Sequence, residues 1–436
     1  MAKIVIIGAG SGFGGRLSID ILSRELFQDS TIALCDINEE RLSQIHDYVS
    51  RAIEGHNLPA TCVASTDRME LLPDADFVVT AVSIGGAAYW GEPYASEIGI
   101  PLKYGLHQSV ADTVGVGGVF RFLRTANEHL KFALDMEKAC PDALMLNYTN
   151  PMAMLTWLHS EGSSIQNVGL CHSVQGTTKK LANGIDVPYE DVSYLVAGIN
   201  HQAWILKFRR GGVDLYPRIR EAVDTHPSFE EDKVRVEMMK QFGYFVTEST
   251  RHNAEYLPYF RRTKELRDYY GVGEREPVPM TLPERRKRTW MKDMGVEDDS
   301  EASVPALSPS HEYASAIMEA RLTGEPFCFN GNVMNNGMIT NLPDRCCVEV
   351  PCVVDREGVH PVYVGALPPQ CVALNMSNIA VQELSVKAVM ERDREAAFHA
   401  CALDPLTASV LSLGEIREMF EELWEAEGDL LSYFEA

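Results

Sequence analysis

The 436-residue sequence contains no apolar run of the length, about 18 residues, that a helix needs to cross a bilayer, so no membrane partner is expected. Its N-terminus, MAKIVIIGAG, enters an apolar strand pattern directly. A charged n-region, apolar h-region and small-residue cleavage site are all missing, so no secretory signal is expected. Positive charge is scarce: 39 Lys and Arg face 62 Asp and Glu, a formal net charge of −23. A phosphate backbone would be repelled, which argues against nucleic acid as a partner. The one basic run, ERRKRTW near 284–290, reads as a solvated helix face. Ten cysteines are scattered with no CxxC pair. Without a signal peptide they are expected as reduced thiols of a cytoplasmic protein, most of them small core residues. No internal repeat is visible.

Alternating apolar runs and helical stretches fill the first half of the chain. Strand patterns fall at 3–8, 30–38, 74–83, 142–151 and NVGLCHS from 167, with helices at 14–27, 39–54 and about 117–138 between them. Continuous apolar strands alternating with helices predict an α/β fold with a parallel, Rossmann-like doubly wound sheet. After about residue 200 the regularity weakens. Residues 192–208 read as strand, turn and strand, 346–365 as strands around the turn DREG, and the last 60 or so as helices. Residues 263–305 are charged, contain prolines and suit an insertion or lid. The expected division is a nucleotide-binding domain over 1–200 and an α+β substrate and oligomerisation domain over 201–436.

The first turn, GAGSGFGG, offers Gly8, Gly10 and Gly12 after a strand and before a helix. With Gly8 and Gly10 in the usual register, the third glycine position is Phe13, so the fingerprint is imperfect. The physics remains: a tight turn, close backbone approach, and a helix N-terminus facing a pyrophosphate. Asp36 ends the second strand, where a carboxylate accepts from ribose hydroxyls and repels a 2′-phosphate, so NAD is expected over NADP. Ser11 and Arg41 complete the candidate cofactor contacts.

Cys171 and His172 follow one buried strand, His201 ends another in AGINHQAW, Asn147 and Asn150 end a third, and Asp112 lies in a loop before a helix. Each has an ordinary structural explanation: a core thiol, a satisfied histidine, a turn former before Pro151, a helix cap. Together they bring polar groups from four segments to one sheet edge, where doubly wound folds bind ligands. Thiolate and imidazole suit a divalent metal, and two protein ligands leave positions open for substrate. An open metal beside a nicotinamide would polarise a hydroxyl or ketone while hydride moves.

With KIVIIGAGS, ADTVGVGG, MLNYTNPMA, GLCHSVQGT, AGINHQAW, GYFVTES, EYAS and GNVMNNGMITNLP, the chain resembles the NAD- and manganese-dependent glycosidases of glycoside hydrolase family 4 over nearly its whole length. Within that family it is most similar to bacterial melibiose-type α-galactosidases. CHSV, rather than Cys-Asp or Cys-Asn, implies an unphosphorylated α-glycoside as the small-molecule substrate. The resemblance implies an NAD-dependent route outside the two-carboxylate mechanism: oxidation at C3 of the sugar, loss of the C2 proton, elimination of the aglycone, water addition and return of hydride. It further implies Cys171 and His201 as ligands of Mn2+ or another divalent metal, Asn150 as a sugar contact, His172 as proton donor, Asp112 as support for the C2 base, and a homodimer or homotetramer. The base stays open among Tyr244, Glu248, His252, Glu255 and Tyr256. Two alternatives remain: α-glucosidase or a related glycosidase of the family, and an NAD-dependent dehydrogenase of a polyol or hydroxy acid.

Overall fold

Short apolar segments of the first 170 residues form the parallel half of one sheet. The computed structural model describes residues 1–85, 92–273 and 304–435. The basic run at 284–290 and most of the expected insertion lie outside these residues. The strands are β1 (Lys3–Ile7), β2 (Thr31–Cys35), β3 (Thr61–Ser65), β4 (Phe77–Thr80), β5 (Leu144–Asn147) and β6 (Asn167–Gly169). They are followed by β7 (Val192–Ile199), β8 (Gln202–Arg210), β9 (Val213–Asp214), β10 (Phe327–Met334), β11 (Cys347–Asp355) and β12 (Gly358–Pro361). The first six lie in the order β3-β2-β1-β4-β5-β6, all parallel. This is the doubly wound arrangement that binds dinucleotides at its carboxyl edge. The sheet continues through β10, β11, β7, β8 and β9 in antiparallel pairings, with β12 on β11. The expected division at residue 200 falls in the turn between β7 and β8, and one sheet runs through both halves.

One register row crosses eight strands. Cys35, Ile7, Thr80, Asn147, Gly169, Asn332, Glu349 and Gly198 are successive neighbours. Just past this row the chain leaves β1 at Gly8, β2 at Asp36 and β6 at Leu170, so the loops they feed start at one height, whereas β7 runs antiparallel to these strands and ends one residue beyond the row, at Ile199.

The helices follow from sequence. Asn38 caps Glu39–Gly55 by accepting from the Arg41 N–H at 2.9 Å, and Glu39 and Glu40 suit the positive end of the helix dipole. Leu42, Ile45, Val49, Ala52 and Ile53 give that helix one buried face. The first helix is shorter than the expected 14–27. It spans Gly12–Leu22, after which Arg24 is extended and Glu25–Phe27 form a single 3-10 turn. Ser23 ends it: its hydroxyl bonds the Asp20 carbonyl at 2.7 Å, a local alternative to continuing the helix. β3 carries no apolar run because it is the exposed edge strand. The core is chiefly one cluster spanning the parallel strands, helix Gly115–Ala139 and helix Pro369–Glu391.

Gly8 adopts φ +90°, and a Cβ there would lie 2.3 Å from the Ala81 carbonyl oxygen. Gly8→Ala is therefore expected to cost about 2 kcal/mol or more. Thermal unfolding checks this; an unchanged midpoint would mean that the turn relaxes freely.

Candidate active site

The glycine turn is tied to the end of β2. The Gly10 N–H donates to Asp36 Oδ2 and the Asn38 N–H to Asp36 Oδ1, each at 2.9 Å. A Cβ on Gly10 would meet Asp36 Cγ at 2.8 Å and Arg41 Cβ at 3.0 Å, so Gly10, Asp36 and Arg41 meet at one point. Ser11 donates to the Gly8 carbonyl at 2.9 Å and does not cap helix Gly12–Leu22, leaving the helix start to a ligand anion. The close helix packing that the third glycine usually provides falls to Gly14, whose Cβ would lie 2.4 Å from the Ala9 carbonyl. Phe13 instead packs at a tilt against Tyr148, ring to ring at 4.7 Å. The residues present fit a dinucleotide.

Cys171 emerges one residue past β6 and Leu170. Tyr313 clamps its backbone: the Cys171 N–H donates to the tyrosine hydroxyl, which donates to the Cys171 carbonyl, both at 2.9 Å. His201 sits in the two-residue turn between Ile199 and Gln202, with φ +61°. Glu248 is delivered by a segment running beside β8, where Ile205 N–H bonds Phe245 O and Thr247 N–H bonds Ala203 O, both at 2.9 Å. Its φ is +69°. Cys171, His201 and Glu248 each offer a ligand atom, all within 4.8 Å of one another. Two anionic donors and a neutral imidazole match a divalent cation in charge and in donor type. Two of these residues, and Ala111 at φ +51°, occupy the left-handed region. Such backbone costs about 1–3 kcal/mol per residue and gathers at functional sites. Burial, and next the charge of Glu248, push the Cys171 thiol up to about 11, with Ser173 and Asn200 opposing. A bound cation would expel that proton.

Asp112 and His252 form the neighbouring pair, His252 Nε2 to Asp112 Oδ1 at 3.3 Å. The other His252 nitrogen meets Ser249 Oγ at 3.0 Å and Glu248 Oε1 at 3.3 Å. The His252 ring lies edge-on to His201 at 4.9 Å. Burial opposes charging of both groups, yet their mutual hydrogen bond and charge win: Asp112 is held well below the usual carboxylate range and His252 is raised. Tyr256 is fully buried, 6.4 Å from His201 ring to ring, and burial pushes its phenol far up.

His172 lies outside the donor cluster of Cys171, His201 and Glu248. Its Nε2 is 2.6 Å from Glu312 Oε2, and Glu312 Oε1 takes Arg16 at 2.9 Å. Burial acts against the Glu312 charge, but His172 and Arg16 hold its carboxyl below the usual range. Tyr148 stacks on the imidazole at 6.0 Å. The glycine-loop helix thus supports His172 twice, through Phe13 on Tyr148 and through Arg16 on Glu312.

Two expected site residues are corrected. Asn147 is not available to a substrate. It is fully buried, its oxygen accepts from Thr80 Oγ1 at 2.8 Å and Thr149 N–H at 2.9 Å, and its amide donates to Thr149 O at 3.1 Å. It sits in the register row itself, one strand position too early to reach the edge. Tyr244 is not in the site either. It packs edge-on to Tyr216 at 6.2 Å in the cluster beside β8, with Arg209 and Arg220 in the same surface cleft. Asn150 lies half-buried in the turn after β5.

Glu312, Tyr313 and Glu349 carry no role in the sequence reading. Glu349 has one visible signal: a charge between Val348 and Val350 in an otherwise apolar strand. It is fully buried with neither oxygen hydrogen-bonded among the described residues, and burial, then the charge of Cys171, push it far up.

A doubly wound nucleotide-binding sheet with a thiolate–imidazole–carboxylate cluster at its carboxyl edge defines an enzyme that can pair a dinucleotide with a cation. Models of the family 4 glycosyl hydrolases match the chain over residues 3–187, and of their C-terminal domain over 196–407. An α-galactosidase of Bacillus subtilis is 40% identical over 435 residues, covering 99% of each chain. The chain belongs to glycosyl hydrolase family 4. Among solved structures, a putative glucosidase of B. subtilis superposes with TM-score 0.85 at 26% identity over 97% of this chain and 99% of its own. A 6-phospho-α-glucosidase from gut microorganisms, solved with NAD and Mn2+, gives 0.81 at 20% identity over 98% of each. The latter likeness shows the fold.

The Asp112–His252 pair sets a pH signature. A raised histidine adds stability that is fully present below its unfolded value and is lost as pH rises through the folded one. A lowered carboxyl adds stability present above its unfolded value and lost as pH falls through the folded one. The pair therefore contributes most between about pH 4 and 6.5. In metal-free protein, His252→Gln is expected to lose about 2 kcal/mol there. The deficit against wild type should shrink above the raised histidine value, as thermal unfolding across pH would show.

Proposed function

We propose that this enzyme hydrolyses unphosphorylated α-galactosides. The observation that carries the reading is the Cys171–His201–Glu248 cluster, together with 40% identity over the full length to an α-galactosidase. Residues 1–200 would bind NAD and 201–436 would bind sugar and mediate assembly into a homo-oligomer. NAD would lie along Gly8, Gly10, Ser11, the start of helix Gly12–Leu22, Asp36 and Arg41. Cys171, His201 and Glu248 would hold Mn2+ or a similar cation. When bound, the two supply a reversible hydride acceptor for C3 and a Lewis acid for the sugar oxygens.

The chain's own residues do the rest. Asp112 orients His252 and stabilises the imidazolium that forms when the neutral ring takes the C2 proton; of the base candidates it is the one backed by a carboxylate and standing against His201. Glu248 serves the cation instead. Asn150 orients the sugar. His172, braced by Glu312 and Tyr148, gives its proton to the leaving oxygen. The ten cysteines are all unpaired, which suits a reducing cytoplasm. No helix among the described residues is long and apolar enough to cross a membrane.

The test follows p-nitrophenol release from the α-galactoside and the α-glucoside in parallel, with Mn2+, NAD+ and a thiol reductant, while absorbance of NADH is recorded. Release from the galactoside that needs NAD+ and accumulates no NADH is expected. Faster release from the glucoside would overturn the sugar assignment. Steady NADH formation without release would make the protein a dehydrogenase.

A further inference from the structure

Asp112 needs a loop that holds it against His252, and that loop, Ser109–Asp112, has no regular structure of its own. Ala111 within it stands at φ +51°, a conformation that alanine does not choose. Something outside the loop must pay for it. Glu255 lies opposite, 2% exposed, just after the helical turn Thr250–Asn253. Its Oε1 accepts the Ser109 N–H, the Val110 N–H at 3.0 Å and the Ser109 hydroxyl at 3.3 Å. Its Oε2 accepts the Ala111 N–H at 3.2 Å. Three consecutive amides thus converge on one buried carboxylate, a concave arrangement that favours an anion.

We propose that Glu255 is a positioning residue that shapes the Ser109–Ala111 loop and so places Asp112 for its work with His252. It does not serve as the base, because its oxygens are committed to the loop. The same short segment supplies both sides of the contact. His252 receives the Asp112 carboxylate, and Glu255, three residues later, holds the backbone that presents it. Arg261 adds a further tie from downstream, donating to the His107 carbonyl at 2.8 Å. On the opposite flank, Gln108 accepts the Gly117 N–H at 3.0 Å and donates to the Glu97 carbonyl at 2.9 Å. Gln108 anchors the loop to helix Gly115–Ala139; Glu255 sets its curvature. A glutamine at 255 keeps size and one good acceptor but loses the charge and the second strong acceptor, so the loop loosens without a cavity.

This inference rests on the proposed role of Asp112, and its test separates the two. Amide exchange is measured on the NAD- and Mn2+-loaded protein for the peptide covering 107–113, in wild type, Glu255→Gln and Glu255→Ala. Exchange of that peptide is expected to quicken about tenfold or more in both variants, with the rest of the molecule unchanged. In the glutamine variant kcat should fall about 10- to 100-fold, with KM nearly constant and with NAD and Mn2+ affinity intact. Unchanged exchange in the glutamine variant overturns the proposal, and so does quickening spread evenly over the whole chain. Should the alanine variant not fold, the glutamine variant alone decides. Should wild type not act on glycosides, the exchange comparison still stands while the functional reading falls.

Discussion

The site depends on one constraint: the register row that runs from Cys35 to Gly198 across eight strands. Because neighbouring strands are locked residue to residue, the loops that leave β1, β2, β5 and β6 begin at a common height. The glycine turn, Asp36, Asn150 and Cys171 all follow from it. A slip of one residue in any strand would turn its side chains to the other face and dissolve the constellation. The row is reinforced by polar side chains within it. Thr80 donates to Asn147 at 2.8 Å, and Asn332 donates to the Gly169 carbonyl at 3.3 Å.

On that frame the second half of the chain adds what the parallel half lacks. The β7–β8 hairpin brings His201. The segment beside β8 brings Glu248, His252, Glu255 and Tyr256 within nine residues. Glu312 and Tyr313, from a more distant stretch, steady His172 and Cys171. Left-handed backbone at Ala111, His201 and Glu248 shows that the fold spends stability at this edge to aim side chains. Charge is concentrated there as well. Asp112 and Glu248 are held below the usual carboxylate range, with two histidines among the causes, while burial and then the charges of Cys171 and Glu248 push the Glu349 carboxyl far up.

Much of this was legible in the sequence, for reasons that are local. The strands of the parallel half are continuous apolar runs, and the glycine turn, Asn38 cap and Asp36 sit at fixed offsets from them. Cys171 and His201 could be read because each follows an apolar strand. Non-local pairing was not legible. Nothing in FCFNGNVM announces that β10 inserts beside β6, so the row through Asn332 and Glu349 could not be drawn. Asn147 looked like an edge residue because a strand's last position cannot be told from the first position beyond it. Tyr244 and Glu248 are four residues apart, and only the pairing of Phe245–Thr247 with β8 turns one into the surface cleft and the other onto His201. Glu312 and Glu255 act through backbone and side-chain partners more than 100 residues away, which no spacing rule reaches.

The most direct test of the central claim, that this edge removes a proton from C2 of the sugar, is isotopic. The NAD- and Mn2+-loaded enzyme would turn over an α-galactoside in D2O, and the released galactose would be examined by NMR. One deuterium at C2 is the predicted result, because the proton taken by the base is replaced from solvent. Galactose released with its C2 hydrogen fully retained would contradict the mechanism and return the site to direct displacement chemistry.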